Sequence, residues 1–335
     1  MKCVKVPLRQ LNDARIDLME KGLMNMEYRI MAGDEFGYIP VNENVEGYEI
    51  VCMHLEAMKK VPHEFSELLE DELTSKEIEN LRTSFDTIGD IVILEIPDDL
   101  LDKRQMIGDA ALKFTKRKAV YMKKSAIKGT TRVRDLEFLS GVDDSVTIHK
   151  EHGARLKLDV REVYFSPRLA TERKRIMESV ADGEKILDMF CGIGPFPIVI
   201  AKNRNVDITA VDINEYAIRY LDENIKLNKL KGNIRTCCGD IREVSERFNS
   251  KFDRIIMNLP GLAYTFLDVA LNLIEDGGII NYYEFSDSYE QGIKRLESAS
   301  ENAGKQVEIL NTRKVKSTSP REWHVAVDAK VTSSK

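Results

Sequence analysis

The sequence predicts an α/β protein whose C-terminal part is a doubly wound parallel-sheet domain, preceded by two smaller α+β domains. Three observations predict it. After Ser166-Pro167, short apolar strands alternate with helices, the pattern of a parallel sheet covered on both faces. The first of these strands, Ile186-Leu187-Asp188, runs into a glycine loop, Cys191-Gly192-Ile193-Gly194-Pro195. At 335 residues the chain is also too long for one average domain.

The elements follow in order. Leu8 to Leu23 reads as an amphipathic helix with Leu11, Ile16, Leu18, Met19 and Leu23 facing inward, and Tyr38–Val41 as a following strand. Residues 1–61 make a small α+β module. An acidic stretch from Glu64 to Glu79 reads as an exposed helix or linker. Ile88–Pro97 reads as one strand that ends at its proline, and Lys103–Phe114 as a helix. Alternation on both sides of His152-Gly153 predicts a hairpin. These elements give a second, sheet-containing domain over 62–161.

In the domain from 162 to 335, strands are expected at Lys185–Met189, Asp207–Val211, Asn233–Cys237, Arg254–Met257 and Ile279–Phe285. The helix Asn214–Leu227 has Asn214 as its cap. Val307–Val315 and His324–Val331, with no helix between them, suit an antiparallel pair at one edge.

Composition excludes several classes. Hydrophobic residues make up 43% and charged residues 32%, a globular balance. No apolar run is long enough to span a bilayer, and no secretory signal opens the chain, so a cytoplasmic protein without membrane attachment is expected. Cys3, Cys52, Cys191, Cys237 and Cys238 are odd in number and form no Cys-x-x-Cys pair, which argues against disulfides or a metal site. The net charge of −6 is unevenly spread: Lys103–Arg168 holds 16 basic against 8 acidic residues. That concentration fits either a phosphate-binding face or an ordinary solvated helix face.

Four strand-end motifs carry the chemistry. In the first, Asp188-Met189-Phe190-Cys191-Gly192-Ile193-Gly194, glycines let the backbone approach a ligand and a helix N-terminus follows. It lacks Gly-x-Gly-x-x-Gly, which disfavours a nicotinamide enzyme. The second strand ends in Asp212-Ile213, an acid placed to accept ribose hydroxyls. The third is followed by Asp240-Ile241, where a carboxylate can reach an adenine amino group while Ile213 and Ile241 sandwich the purine. The fourth ends Asn258-Leu259-Pro260. Together they describe one nucleoside crevice.

On these motifs the chain resembles class I S-adenosylmethionine methyltransferases. It is similar, more narrowly, to the archaeal and eukaryotic tRNA (guanine(37)-N(1))-methyltransferase family. Thr131–Glu137, Val163–Leu169, Glu172-Arg173, Asp188–Phe190, Val211–Asn214 and Asn258–Pro260 carry that match. The resemblance implies a Rossmann-like catalytic domain, S-adenosylmethionine as cofactor, and transfer of its methyl group to N1 of guanosine 37. It implies tRNA as partner, with the first module at the outer corner and the target in the anticodon loop.

The resemblance also implies residue roles. Glu172 matches the general base that removes the N1 proton, and Arg132 the arginine that stabilises negative charge on O6. Asn258 and Pro260 resemble the loop at the cofactor's reactive end, and Tyr164 shapes the base pocket. Arg173 is the candidate partner of the methionine carboxylate. A monomer without a metal is expected. The rival reading is a wybutosine-pathway transferase at the same tRNA position, which moves the aminocarboxypropyl group or methylates a wyosine precursor.

Overall fold

The computed structural model describes residues 1–58, 62–124, 135–319 and 321–334. The chain divides into two compact units, Met1–His63 and Glu64–Lys335.

The first unit is a four-stranded sheet in the order β2-β3-β1-β4, built from β1 (Lys2–Pro7), β2 (Met31–Ala32), β3 (Phe36–Pro40) and β4 (Glu49–Cys52). Helix α1 (Leu11–Glu20) packs on it after a single 3-10 turn. Its buried face is Ala14 and Leu18, whereas Ile16 and Met19 are 38% and 48% exposed. This corrects the expected inward set. Leu11, Ala14 and Leu18, spaced three and four apart, define the contact stripe, and positions 16 and 19 fall outside it.

The second unit opens with a 3-10 helix, Phe65–Leu69, followed by α2 (Ser75–Asn80), capped by Thr74 in a reciprocal box with Glu77. The acidic stretch around it is not simply exposed. Phe65, Leu69 and Leu73 are buried in the core, and the carboxylates occupy the opposite face. The strand expected over Ile88–Pro97 is instead two strands, β5 (Asp86–Ile88) and β6 (Ile91–Leu94), folded back at Gly89. Gly89 has φ +58°, and an added Cβ there would lie 2.1 Å from Thr147 Oγ1. With α3 (Arg104–Thr115), β7 (Ala119–Lys123) and β8 (Leu136–Gly141) these strands complete a sheet ordered β5-β6-β7-β8.

The hairpin follows as β9 (Val146–Glu151) and β10 (Ala154–Asp159). His152 and Gly153 both have positive φ, as a two-residue turn of matched twist requires. One continuous core joins Ile91 and Tyr121 of the sheet to Leu156 and Leu158 of the hairpin and to Ile193 and Leu221 beyond it.

The doubly wound part begins with α4 (Ala170–Ser179) and alternates β11 (Lys185–Asp188), α5 (Pro195–Asn203), β12 (Asp207–Asp212), α6 (Glu215–Leu227), β13 (Asn233–Cys238), α7 (Ile241–Val244), β14 (Phe252–Met257), α8 (Leu267–Leu273), β15 (Ile274–Ser286) and α9 (Glu290–Asn302). It closes with the antiparallel pair β16 (Lys305–Ser319) and β17 (Glu322–Ser333). The seven-stranded sheet runs β13-β12-β11-β14-β15-β17-β16, so β17 inserts between β15 and the edge strand β16. The first five strands are mutually parallel. Ile186, Leu187, Ile255, Ile256 and Met257 are wholly buried, as central strands covered on both faces must be. No helix among the described residues is long and apolar enough to cross a membrane.

Candidate active site

The order β12-β11-β14 places the chain reversal beside the carboxyl end of β11, where open α/β sheets form their ligand crevice. The loop after β11 is fixed from both neighbours: Met189 N–H donates to Ile256 O (3.1 Å) and Cys191 N–H to Val211 O (2.9 Å). Gly192 and Gly194 take φ +54° and +79°. An added Cβ at Gly194 would strike Leu221 of α6 at 2.2 Å, whereas at Gly192 nothing lies nearer than Tyr164 O at 3.9 Å. Gly194 therefore serves helix packing, and Gly192 keeps the loop open towards the cavity.

Asp212 organises this end. Its Oδ2 accepts Gly192 N–H at 2.7 Å and its Oδ1 accepts Asn214 N–H at 2.9 Å. Asn214 in turn caps α6 by accepting Tyr216 N–H at 3.0 Å. Asp240 begins α7 and accepts from both the backbone and the guanidinium of Arg242. That pairing holds its carboxyl below the usual range.

A cavity of about 370 Å³ opens here, within the span of small-molecule sites. Tyr164, Arg173, Phe190, Gly192, Asp212, Ile213, Asp240, Ile241, Asn258 and Pro260 all line it. Ile213 is 46% exposed and Ile241 buried, so the two offer aliphatic surface from different strand ends. Asn258 Oδ1 is buried at the wall without a hydrogen-bond partner among the described residues. A buried amide oxygen in that state is an acceptor waiting for a ligand. The donor set fits a purine nucleoside with a charged tail.

Three sequence-predicted residues do not line the cavity. Gly194 is turned into packing. Asp188 lies beneath the loop, 1% exposed, with Oδ1 accepting Phe190 N–H at 3.3 Å and Oδ2 unpartnered among the described residues. Burial pushes its carboxyl up to about 8, against the Phe190 bond and with help from the Asp212 charge. Glu172, 1% exposed on α4, is absent from the lining and sits in an ionic cluster. Its Oε1 accepts from Tyr283 Oη (2.7 Å) and Arg175 Nη2 (2.7 Å), and its Oε2 from Arg175 Nε (3.1 Å). Arg313 Nε stands 3.5 Å away. Arg132 lies outside the described residues.

Arg173 lines the cavity, but its Nε and Nη2 are held by Glu151 at 2.5 Å each, and Nη2 also reaches Ser166 O. Several cations of the basic segment are likewise compensated: Lys103 by Glu77, Arg104 by Glu137, Lys118 by Asp144 and Arg168 by Asp86. The charge surplus read from sequence is therefore partly internal pairing.

Sequence reasoning missed the far wall, made by Phe285, Lys316 and His324. These three align across β15, β17 and β16, with Phe285 paired to His324 and His324 to Lys316. Phe285 N–H also donates to Pro260 O at 3.1 Å, which ties this row to the Asn258 loop. Only strand pairing brings them together, so no local motif announced them.

Comparison with known proteins finds Trm5 and TYW2 relatives. A model described as the TRM5/TYW2 methyltransferase domain matches residues 147–310, one described as the TYW2 N-terminal domain matches 65–145, and one described as the tRNA methyltransferase 5 N-terminal domain matches 3–49. The chain is 43% identical over 333 residues to the tRNA (guanine(37)-N(1))-methyltransferase Trm5b of Pyrococcus abyssi, covering 98% of each protein. A solved complex of aTrm5 with tRNALeu superposes with TM-score 0.86 at 38% identity, over 98% of this chain and 99% of that one. A tRNA(Phe) (4-demethylwyosine(37)-C(7)) aminocarboxypropyltransferase of Methanocaldococcus jannaschii is 36% identical over 252 residues, 73% of this chain and 97% of that protein.

Proposed function

The chain belongs to the tRNA (guanine(37)-N(1))-methyltransferase family, and on that footing we propose that it methylates N1 of guanosine 37, immediately 3′ of the tRNA anticodon. It is an S-adenosylmethionine-dependent methyltransferase of the class I fold. The end-to-end identity of 43% with a Trm5b enzyme is the observation that carries the reading.

The residues divide the work. Asp212 would accept the ribose hydroxyls while holding the Gly192 loop, and Ile213 and Ile241 would flank the purine beside Asp240. Arg173 would meet the carboxylate of the methionine arm with its remaining Nη1. The bound cofactor supplies an electrophilic methyl group on a sulfonium. Asn258 would orient the target base through its buried Oδ1, with Pro260 shaping the loop and Tyr164 stacking on the base. Glu172 would take the N1 proton, the role that its match to the family implies. Arg132 would stabilise the charge left on O6.

The proposal keeps three functional segments, 1–61 at the outer corner of the tRNA, 62–161 as an RNA-binding domain with a basic face, and 162–335 for catalysis, acting in the cytoplasm as a monomer. Its test is methylation of full-length tRNA and of an anticodon stem-loop, each carrying guanosine or adenosine at position 37. Nucleoside mass should show a single methyl on guanosine 37 alone. Gain of an aminocarboxypropyl group, or reaction only with a wyosine precursor, would replace this reading with the rival one.

A further inference from the structure

Lys316 of β16 lines the cavity, half-buried, and has no part in the roles assigned so far. Its Nζ donates to Ser166 Oγ at a long 3.4 Å, and no carboxylate among the described residues pairs with it. The cations around it are different. Arg173 is clamped by Glu151, Arg242 by Asp240, and Arg175 by Glu172 and Asp328, while Arg313 stands against Glu172. Lys314, two residues away, lies over the Trp323 ring at 4.7 Å. Of the described lysines and arginines that line the cavity, Lys316 alone has no acidic partner. An ammonium carries three donors, so this one keeps capacity for a ligand.

Strand pairing sets its aim. The register of β16 on β17 slips between Lys314 and Lys316, so that Lys316 rather than Val315 stands opposite His324. A bulge of this kind re-aims a side chain beside a ligand site. Val315 packs on the core of Ile176 and Tyr283, and Lys316 joins the row in which His324 pairs with Phe285. The row thus runs from the Asn258 loop after β14, across Phe285 and His324, to Lys316. β14 and β16 are three strand spacings apart, about 14 Å of backbone separation. The side chains reach into that gap from both sides. At one end is the unpartnered amide oxygen of Asn258, at the other an uncompensated ammonium, and between them lie two rings 5.6 Å apart.

An acceptor and a donor separated by an aromatic strip complement one base in particular. Guanine offers N1–H and its 2-amino group as donors on one side, and O6 and N7 as acceptors on the other. Adenine carries an amino group where guanine has O6, and its N1 has no hydrogen to donate to Asn258. We propose that Lys316 is a specificity-determining residue that donates to the N7–O6 edge of the target guanine, away from the edge held by Asn258. This deepens the reading of the cavity as a guanosine methylation site and rests on it.

The test is single-turnover methylation of full-length tRNA carrying guanosine, 7-deazaguanosine or inosine at position 37, by the parent and by Lys316→Met. The 7-deaza base lacks the N7 acceptor, and inosine lacks only the 2-amino group. Loss of N7 should slow the parent about tenfold, the scale of one base-edge contact. Lys316→Met should react about tenfold more slowly with guanosine, and no more slowly still with 7-deazaguanosine. The inosine-to-guanosine ratio should be the same in both proteins, and affinity for S-adenosylhomocysteine should stay near the parent value. If the methionine variant melts early, Lys316→Gln repeats the comparison. A 7-deaza penalty that survives in the variant, or a parent indifferent to N7, overturns the proposal. So does a loss of cofactor affinity, which would assign Lys316 to the methionine carboxylate instead. Failure of the wider reading looks different: the parent would then place no methyl on guanosine 37 at all.

Discussion

The two ends of the cavity are built differently. At the nucleoside end, Asp212, Ile213, Asp240 and Ile241 each sit within three residues of a strand end, and backbone N–H groups fix the two carboxylates. At the acceptor end, Asn258 faces Phe285, Lys316 and His324, which converge only because β17 inserts between β15 and β16. The first end is a property of loops and the second a property of strand order. On the proposed function, the first end would bind the cofactor and the second would orient the target base. Binding and rate should therefore separate when each end is perturbed.

The largest effect is expected beneath the nucleoside end, at Asp188. Its folded-state carboxyl titrates at about 8, far above the ordinary 3.8 of the unfolded chain. Folding therefore takes up a proton between those values, so this contribution is complete below about pH 4 and is lost as pH rises through about 8. Asp188→Asn removes the titration. In the ligand-free protein, urea unfolding should find the variant and the parent alike near pH 4. At pH 8 the variant should be the more stable by roughly 5 kcal/mol. Parallel pH profiles for the two proteins would show that Asp188 is ionised in the fold.

Asp212→Ala comes next and tests the loop-built end directly. It removes the acceptor of Gly192 N–H and Asn214 N–H as well as the expected ribose partner. Loss of charged hydrogen bonds of that kind costs about 3 kcal/mol, or roughly 100-fold in affinity for S-adenosylhomocysteine by calorimetry. Unchanged affinity would mean that the cavity binds its ligand elsewhere.

Asn258→Ala should do the reverse. Its orphaned Oδ1 belongs to the acceptor end, so the single-turnover rate should fall on the order of 10²-fold while cofactor affinity stays near the parent value. An equal loss of both would erase the distinction between the two ends.

What could be read in the sequence follows the same division. The strands and their order of appearance were legible because buried parallel strands are short continuous apolar runs between helices. Asp212 and Asp240 were legible because each comes at or just after a strand end. The setting of Glu172 was not: its partners Arg175, Tyr283, Arg313 and Asp328 belong to four elements, and no spacing rule connects them. The turn at Gly89 was hidden for a related reason, since Ile88 before a Gly-Asp pair and an apolar run after it fit one strand as well as two. Even the inward face of α1 depended on where the preceding 3-10 turn ended, which sets the helix phase. Pairing and phase are non-local or cumulative, and a sequence states them only indirectly.

The smallest expected effect sharpens the comparison at its finest grain. Ile213 lines the nucleoside end yet remains 46% exposed in the ligand-free protein. A purine laid against it would bury the remaining aliphatic surface. Truncation in Ile213→Ala should therefore weaken S-adenosylhomocysteine binding by about 1 kcal/mol, roughly fivefold. The rate at saturating cofactor should stay unchanged, because in the proposed arrangement this side chain would touch only the purine, which does not react. A fall in saturated rate without loss of affinity would mean that Ile213 serves the acceptor end, and the division between a binding end and an orienting end would have to be redrawn.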